Sequence, residues 1–336
     1  MKKNTIVLDG FTVHSACVGS VTAAEFFELN NYTQSSLTSL VQSLVLHDEL
    51  VVGEEVIGPS SRFPSLFAAF KGALVERATI PIERNREVVR LYELGKEEYS
   101  RLGRTALYED ELTDFVQRLF FESALEPTEE VLLEQDPELF PLFKRHSALR
   151  ARMYNVQAST QQAVYVPCPY RQTFFEATEF QKSIALDLVE EVVRDVRAPA
   201  QAALANSVFL RNIDLVTPAL MQLVLQESKG SGIFETAAQL RDSKDAADFR
   251  ALCNEYLTVM DRPNYSLSDG IKLKKSLDKA KARLQEKLGL KKRGKDLTVS
   301  LLGLSSNITI PDIDLSRMRP AFAFLYRIIN ANYSSA

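Results

Sequence analysis

Residues 5–10 read Thr-Ile-Val-Leu-Asp-Gly, a short β-rich run that ends in a turn dipeptide. A second β-rich run, Leu50-Val51-Val52, ends at Gly53, and apolar residues recur at helical spacing between them, over residues 37–45. The order strand, helix, strand predicts an α/β arrangement at the start of the chain. Residues 163–166, closed by Pro-Cys-Pro, are a third strand candidate.

Helical patterning dominates the rest of the chain. The predicted helices cover residues 63–75, 83–102, 108–123, 172–196 and 320–329, and two more begin near Thr217 and Ser243. Two late runs, residues 297–302 and 308–310, are expected to form a hairpin or to add edge strands. We therefore predict an α+β fold, predominantly helical with a small mixed β-sheet; the alternative is a doubly wound α/β fold.

Domain organisation has to be inferred from composition, because the sequence contains no solenoid repeat and no low-complexity linker. We place a boundary at Pro167-Cys168-Pro169. It separates an N-terminal α/β-like region with helices, residues 1–166, from a mainly helical region, residues 170–336. The second region contains a predicted basic helix at 269–289 and the short late strands.

Cysteine usage and hydropathy predict the compartment. The three cysteines, Cys17, Cys168 and Cys253, lie far apart and are odd in number, which is typical of reduced thiols in a cytoplasm. The apolar run after Met1-Lys2-Lys3 is too short for a secretory signal, and no stretch approaches the roughly 18 apolar residues of a membrane span. We expect a soluble cytoplasmic protein that does not contact a membrane.

Positive charge is concentrated in residues 272–295, which we name the basic segment. It holds 11 Lys and Arg residues and two acids, a net charge of +9 in a chain whose net charge is −4. The remaining sequence has 29 basic and 42 acidic residues, a net charge of −13. Such concentration predicts an anionic partner.

Leucine spacing predicts that much of the basic segment is a helix. Apolar residues fall within roughly 80° of arc at helical rotation, namely Leu273, Leu277, Ala280, Leu284 and Leu288. Gly289 suits the residue after the helix end. The cations occupy most of the remaining circumference and continue into a loop. The predicted partner-binding residues are Lys272, Lys275, Lys279, Arg283, Lys287, Lys291, Lys292, Arg293 and Lys295.

Two classes of anionic partner fit this pattern. Lys and Arg neutralise phosphates without base-specific groups, and the basic segment has no aromatic side chain for stacking, so duplex nucleic acid is favoured over single strands. An acidic protein partner is the other. Within the chain itself, residues 109–138, which we name the acidic block, carry 11 acids against Arg118 alone. The block could neutralise the basic segment internally or bind it head to tail between copies, giving a homo-oligomer.

A second basic cluster contains Lys144, Arg145, His146, Arg150 and Arg152. It could extend an anion-binding groove. The spacing of Arg145, Leu149 and Arg152 is typical of an ordinary solvated helix face, which we favour.

Catalytic patterns are sparse. Asp9 after the first strand and Glu54-Glu55 after the second are placed where carboxylates gather over a metal, and this placement resembles that of PIN-like nucleases. The third strand candidate ends in Pro-Cys-Pro and adds no acid. The three histidines show no zinc-site or triad spacing, and no nucleotide-binding glycine loop is present.

We therefore expect a non-catalytic interaction or assembly protein with no cofactor and no metal. The alternative is a metal-dependent nuclease with a carboxylate site at Asp9 and Glu54 or Glu55.

Overall fold

The structure is a computed structural model, and it describes a large part of the chain. The described residues are 4–16, 21–54, 59–78, 86–116, 118, 129–169, 171, 185–186, 188–189, 192–193, 219–260 and 320–334. The chain divides into two compact units, Thr5–Ser183 and Ile184–Ala336 with Met1–Asn4. The domain boundary at Pro167-Cys168-Pro169 stays a prediction.

Four strands form one parallel sheet in the first unit. They are β1 (Thr5–Leu8), β2 (Glu49–Glu54), β3 (Leu74–Ala78) and β4 (Val164–Val166). The order across the sheet is β3-β2-β1-β4, and every pairing among them is parallel. The strands β2 and β3 are therefore added on one side of β1, and the much later β4 is added on the other side. The order of strand addition reverses at β1, although all strands run in the same direction.

Helices connect and cover these strands. In chain order they are α1 (Gly10–Ala16), α2 (Ala23–Phe26), α3 (Asn31–Leu46), α4 (Pro59–Arg62), α5 (Pro64–Ala69), α6 (Arg86–Arg101), α7 (Tyr108–Val116), α8 (Glu129–Gln135) and α9 (Leu139–Thr160). Local sequence explains where α3 begins, because the Asn30 side chain accepts a hydrogen bond from the Thr33 N–H at 2.8 Å.

Both faces of the central strands are buried. Val7, Val51 and Tyr165 are in register across three strands and pack with Tyr154 and Ala158 of α9. Side chains alternate along a strand, so the neighbouring residues face the opposite side. Those on β1 and β2 are fully buried there, and α1 and α3 contact β2.

A second core lies among α6, α7, α8 and α9. Its buried members include Tyr99, Tyr108, Phe115, Leu132 and Phe143, and the Phe115 and Phe143 rings are 5.2 Å apart. This aromatic layer fixes α7 against α9 and so determines where the carboxylates of α7 lie.

The second unit is helical in its described residues. Its helices are α10 (Ala219–Glu227), α11 (Ile233–Asp242), α12 (Lys244–Met260) and α13 (Pro320–Ser334). The last helix packs against α10 and α12, with the Phe249 and Phe324 rings 5.4 Å apart. Arg327 of α13 binds Asp245 and Glu227, each at 2.8 Å. The C-terminal run is thus docked by both apolar packing and ion pairs.

The predicted class, α+β and predominantly helical, is confirmed. Within the described residues the sheet is parallel throughout rather than mixed. Its reversal in the order of strand addition at β1 is a feature that doubly wound sheets share. The predicted late strands, the basic helix and most of the predicted helix 172–196 lie outside the described residues.

Candidate functional site

The predicted partner-binding residues, Lys272 to Lys295, lie outside the described residues. Of the three carboxylates proposed for a nuclease, Glu55 also lies outside them, and Glu54 is described only as the last residue of β2. Asp9 is described in full. The geometry around Asp9 can therefore be compared with the chemistry proposed for it.

Asp9 follows β1 at the point where the strand order reverses. Its backbone N–H donates to the Val166 carbonyl of β4 at 3.2 Å, so the carboxyl ends of β1 and β4 meet at this residue. In open parallel sheets, this crevice between diverging strands is the usual place for a ligand. Asp9 therefore lies at the end of β1, where the sequence predicted a candidate site carboxylate.

The Asp9 carboxylate is already engaged by protein donors. Oδ2 accepts a hydrogen bond from the Tyr165 hydroxyl at 2.7 Å, from the Cys168 N–H at 3.4 Å, and from the Arg171 guanidinium. Oδ1 accepts from the Phe11 N–H at 3.0 Å. The Asp9 side chain is 1% exposed and that of Arg171 is 6% exposed. The pair is therefore closed off from solvent.

Electrostatics keep Asp9 ionised within this network. Burial by itself would raise the pKa of Asp9, but the Arg171 charge and the hydrogen bonds from Arg171, Tyr165 and Phe11 outweigh it and lower that pKa. Burial and the neighbouring Asp9 charge raise the pKa of Tyr165 well above its ordinary value. Asp9 is thus an anion and Tyr165 a neutral donor at neutral pH.

Aromatic rings pack beside the Asp9–Arg171 ion pair. Tyr154 of α9 stacks on Tyr165, with centroids 5.3 Å apart and an interplanar angle of 11°. The Arg171 guanidinium lies 5.7 Å from the centroid of the Tyr154 ring, and the Tyr154 hydroxyl accepts a hydrogen bond from the Gly10 N–H at 3.4 Å. These contacts connect β1, β4 and α9 around the Asp9–Arg171 ion pair.

This arrangement favours a structural role for Asp9. A hard cation requires several oxygen ligands, and here it would have to displace Arg171 and Tyr165 from the only carboxylate described at this point. Among the residues that the structure describes, no group of three His, Cys, Asp or Glu side chains could hold a metal. The nuclease alternative stays a prediction that the Asp9 geometry does not support.

Sequence reasoning found Asp9 but missed Arg171 and Tyr165. A signal was available, because a carboxylate at the end of a buried strand needs a counter-charge close by. Arg171 lies five residues after β4, the strand next to β1. The missing information was the strand order, since nothing local indicates that residues 9 and 171 meet.

The acidic block has a cation of its own within the first unit. Arg104, just before the block, binds Glu111 and Asp136 at 2.8 Å each and lies 3.7 Å from Glu138. Burial lowers the pKa of Arg104, but the hydrogen bonds to these carboxylates raise it overall. Other acids on α7 and α8 are exposed: Asp110, Asp114, Glu130 and Glu134.

The second basic cluster lies on α9, as its helical spacing predicts. Arg145 binds Glu98 of α6 at 2.6 Å and Arg152 is exposed, whereas Leu149 is buried. This arrangement agrees with an ordinary amphipathic helix that packs on α6.

Comparison with protein-family models, with curated proteins and with solved structures found no match to this chain. The fold alone defines the class of this protein, which is predominantly helical α+β with a four-stranded parallel sheet. No helix in the described part of the chain has both the length and the apolar character needed to cross a bilayer.

Proposed function

We propose that the protein is a non-catalytic association protein whose basic segment contacts an acidic protein partner or duplex nucleic acid. The observation that carries the proposal is the separation of charge along the chain, +9 over residues 272–295 against −13 over the rest. Concentrated cations attract anionic surfaces at a distance and speed up encounter with them. A cytoplasmic location belongs to the same proposal.

Two features of the described residues support this proposal: one argues against catalysis at Asp9, and the other gives part of the acidic block a cation from outside the basic segment. Asp9, the carboxylate best placed for chemistry, is neutralised by buried Arg171. Arg104 pairs with Glu111 and Asp136, so part of the acidic block has a cation within its own unit. Those two carboxylates share one cation that is not part of the basic segment.

The test is binding measured at several salt concentrations. Lys291, Lys292, Arg293 and Lys295 are changed together to Ala, and fluorescence anisotropy follows binding to a mixed-sequence DNA duplex and to poly-glutamate. We expect the variant to bind the favoured probe more weakly. For duplex, the slope of log K against log salt should become shallower by roughly 0.9 for each phosphate that the variant no longer neutralises.

A matched control removes the same charge elsewhere. Lys71, Arg86, Arg90 and Arg101 are exposed residues of the first unit, and their joint change to Ala also lowers the net charge by four. We expect this control to bind like the wild type, apart from a small general loss of attraction. Failure of the wild type to bind either probe at low salt, or equal binding by both variants, would refute the proposal.

A further inference from the structure

His146 lies where three helices of the first unit meet. Its ring, on α9, makes an edge contact with Tyr108 of α7, with centroids 5.7 Å apart and an interplanar angle of 87°. It also lies 6.3 Å from the ring of Tyr92 on α6, and Tyr92 is 6.2 Å from Tyr108. The neutral imidazole thus completes an aromatic contact that joins α6, α7 and α9.

The polar surroundings do not suit a charged ring. His146 Nδ1 is buried and has no hydrogen-bond partner among the described residues. Arg150 on the same helix and Arg171 beyond β4 both repel positive charge at this position. On α6, Lys96 lies 4.5 Å from the centroid of the Tyr92 ring.

The carboxylate of Glu98, near this aromatic cluster, is already paired with a cation. Burial and the Glu98 charge raise the pKa of Tyr108, but Glu98 forms an ion pair with Arg145 at 2.6 Å. An imidazolium at His146 would therefore be repelled by Arg150 and Arg171, and its Nδ1–H would be left without an acceptor in the described residues.

We propose that His146 is an acid-sensitive latch, and that its protonation releases α7 from α6 and α9. The inference is independent of the function proposed for the basic segment. We expect α7 to be the element that moves, because it holds Tyr108, whose ring is in edge contact with His146. The described polar contacts of α7 with its neighbours include the hydrogen bond from the Tyr108 hydroxyl to the Leu142 carbonyl at 3.5 Å, that from the Tyr99 hydroxyl to Glu111 at 3.3 Å, and the ion pair of Arg104 with Glu111.

The direction of the pH effect follows from linkage. Burial, with the charges of Arg150 and Arg171, lowers the pKa of His146 from 6.5 to about 3. The open form, with the ring in water, regains the ordinary value and binds the proton more tightly. The latch is closed above the ordinary pKa and loses stability as the pH falls below 6.5.

Hydrogen exchange of the full chain, read by mass spectrometry, tests the latch. Peptides covering α7 are compared at pH 7 and pH 5 after correction for the intrinsic exchange rate. We expect the opening equilibrium of wild-type α7 to rise by more than about tenfold at pH 5. In His146→Phe, which retains an aromatic ring but cannot be protonated, we expect a change of less than about twofold.

Controls separate this effect from general acid destabilisation. His14→Gln removes a different histidine and should retain the wild-type response of α7. Peptides from α10 and α11 in the second unit should keep their protection at pH 5. If His146→Phe folds poorly, as judged by circular dichroism, His146→Gln replaces it. An equal pH response in the wild type and the folded His146 variant, or unchanged α7 protection in the wild type, would overturn the proposal.

Discussion

At the residue scale, one buried ion pair shows what the sequence can and cannot reveal. The position of Asp9 at a strand end was predictable because a β-rich run stops there. Its partner was not, because Arg171 is brought to it by the pairing of β1 with β4 across more than 150 residues. Buried charges need counter-charges, but only the strand order determines which residue provides one.

Removing the Asp9 charge should destabilise the first unit strongly. In Asp9→Asn the guanidinium of Arg171 stays buried without its counter-charge, so we expect the free energy of unfolding to fall by about 3 kcal/mol. Urea denaturation followed by circular dichroism measures the change. Tyr165→Phe is the matched control, because it removes one hydrogen bond to the same carboxylate and should cost about 1 kcal/mol. Equal stability of Asp9→Asn and the wild type would contradict a structural role.

Gly95 is required for close packing of α6 against α7. A Cβ at this position would lie 2.8 Å from the Tyr108 hydroxyl oxygen, and Tyr108 is buried. Helix propensity alone would make Gly95→Ala stabilising by about 1 kcal/mol. We expect the steric overlap to dominate and the variant to lose about 1–2 kcal/mol of unfolding free energy.

The double variant Gly95→Ala with Tyr108→Phe provides the control for that prediction. Removal of the hydroxyl leaves ring carbon Cζ, 3.4 Å from the new Cβ, as the nearest atom. Gly95→Ala should therefore cost less in the Tyr108→Phe background than in the wild type, as measured by thermal or urea unfolding. A stabilising effect of Gly95→Ala in the wild type would show that the contact relaxes freely.

At the element scale, three of the four strands in the described part of the chain were predicted and one was missed. The strands β1, β2 and β4 have β-rich runs closed by Gly or Pro, and they were found. Residues 63–75 were predicted as one helix, which is wrong. The helix α5 ends at Ala69, Gly72 takes a positive φ of 83°, and β3 begins at Leu74. Short apolar runs fit a buried strand as well as a helix, so pattern alone could not separate them.

Docking of α13 depends on Arg327 as well as on its apolar face. Arg327 binds Asp245 of α12 and Glu227 of α10, and its side chain is 29% exposed. We expect Arg327→Met to lower the unfolding free energy of the second unit by about 2 kcal/mol, because two partly buried carboxylates lose a charged partner. Hydrogen exchange of α13 peptides gives a local measure of the same effect.

Lys244→Met is the control for Arg327→Met. Lys244 is exposed at the start of α12, next to Asp245. Its replacement removes one positive charge close to the same carboxylate, and we expect a change of less than about 0.5 kcal/mol. Equal effects of the two substitutions would show that the Arg327 ion pairs contribute nothing specific.

At the scale of the whole molecule, the distribution of charge along the chain is the property that the sequence predicts most directly. The basic segment and the acidic block are found by counting charged residues along the sequence, without knowledge of the fold. The ion-pair partners of individual charged residues, by contrast, depend on the fold. Arg104 binds two acids that are 25 residues apart, Glu111 of α7 and Asp136 just after α8, and only the fold brings them to the same guanidinium.

Association between copies should depend on salt if the acidic block of one molecule is the partner of the basic segment of another. We expect the molar mass by light scattering to exceed the monomer value of 37.7 kDa at low salt. It should fall toward that value as the salt concentration rises, because exposed charges are screened beyond about 10 Å at 0.1 M. A mass that does not change with salt would exclude this partner.

The central claim is that the cations of the basic segment are available to a partner outside the molecule. Lysine labelling by an amine-reactive ester, read by mass spectrometry, tests it directly, with exposed Lys71 as the internal reference. We predict that Lys291, Lys292 and Lys295 label as fast as Lys71 in the free protein. Addition of duplex DNA or poly-glutamate at low salt should slow the labelling of these three lysines but not that of Lys71. Slow labelling in the free monomer would contradict the claim, because carboxylates of the same chain would then cover those lysines.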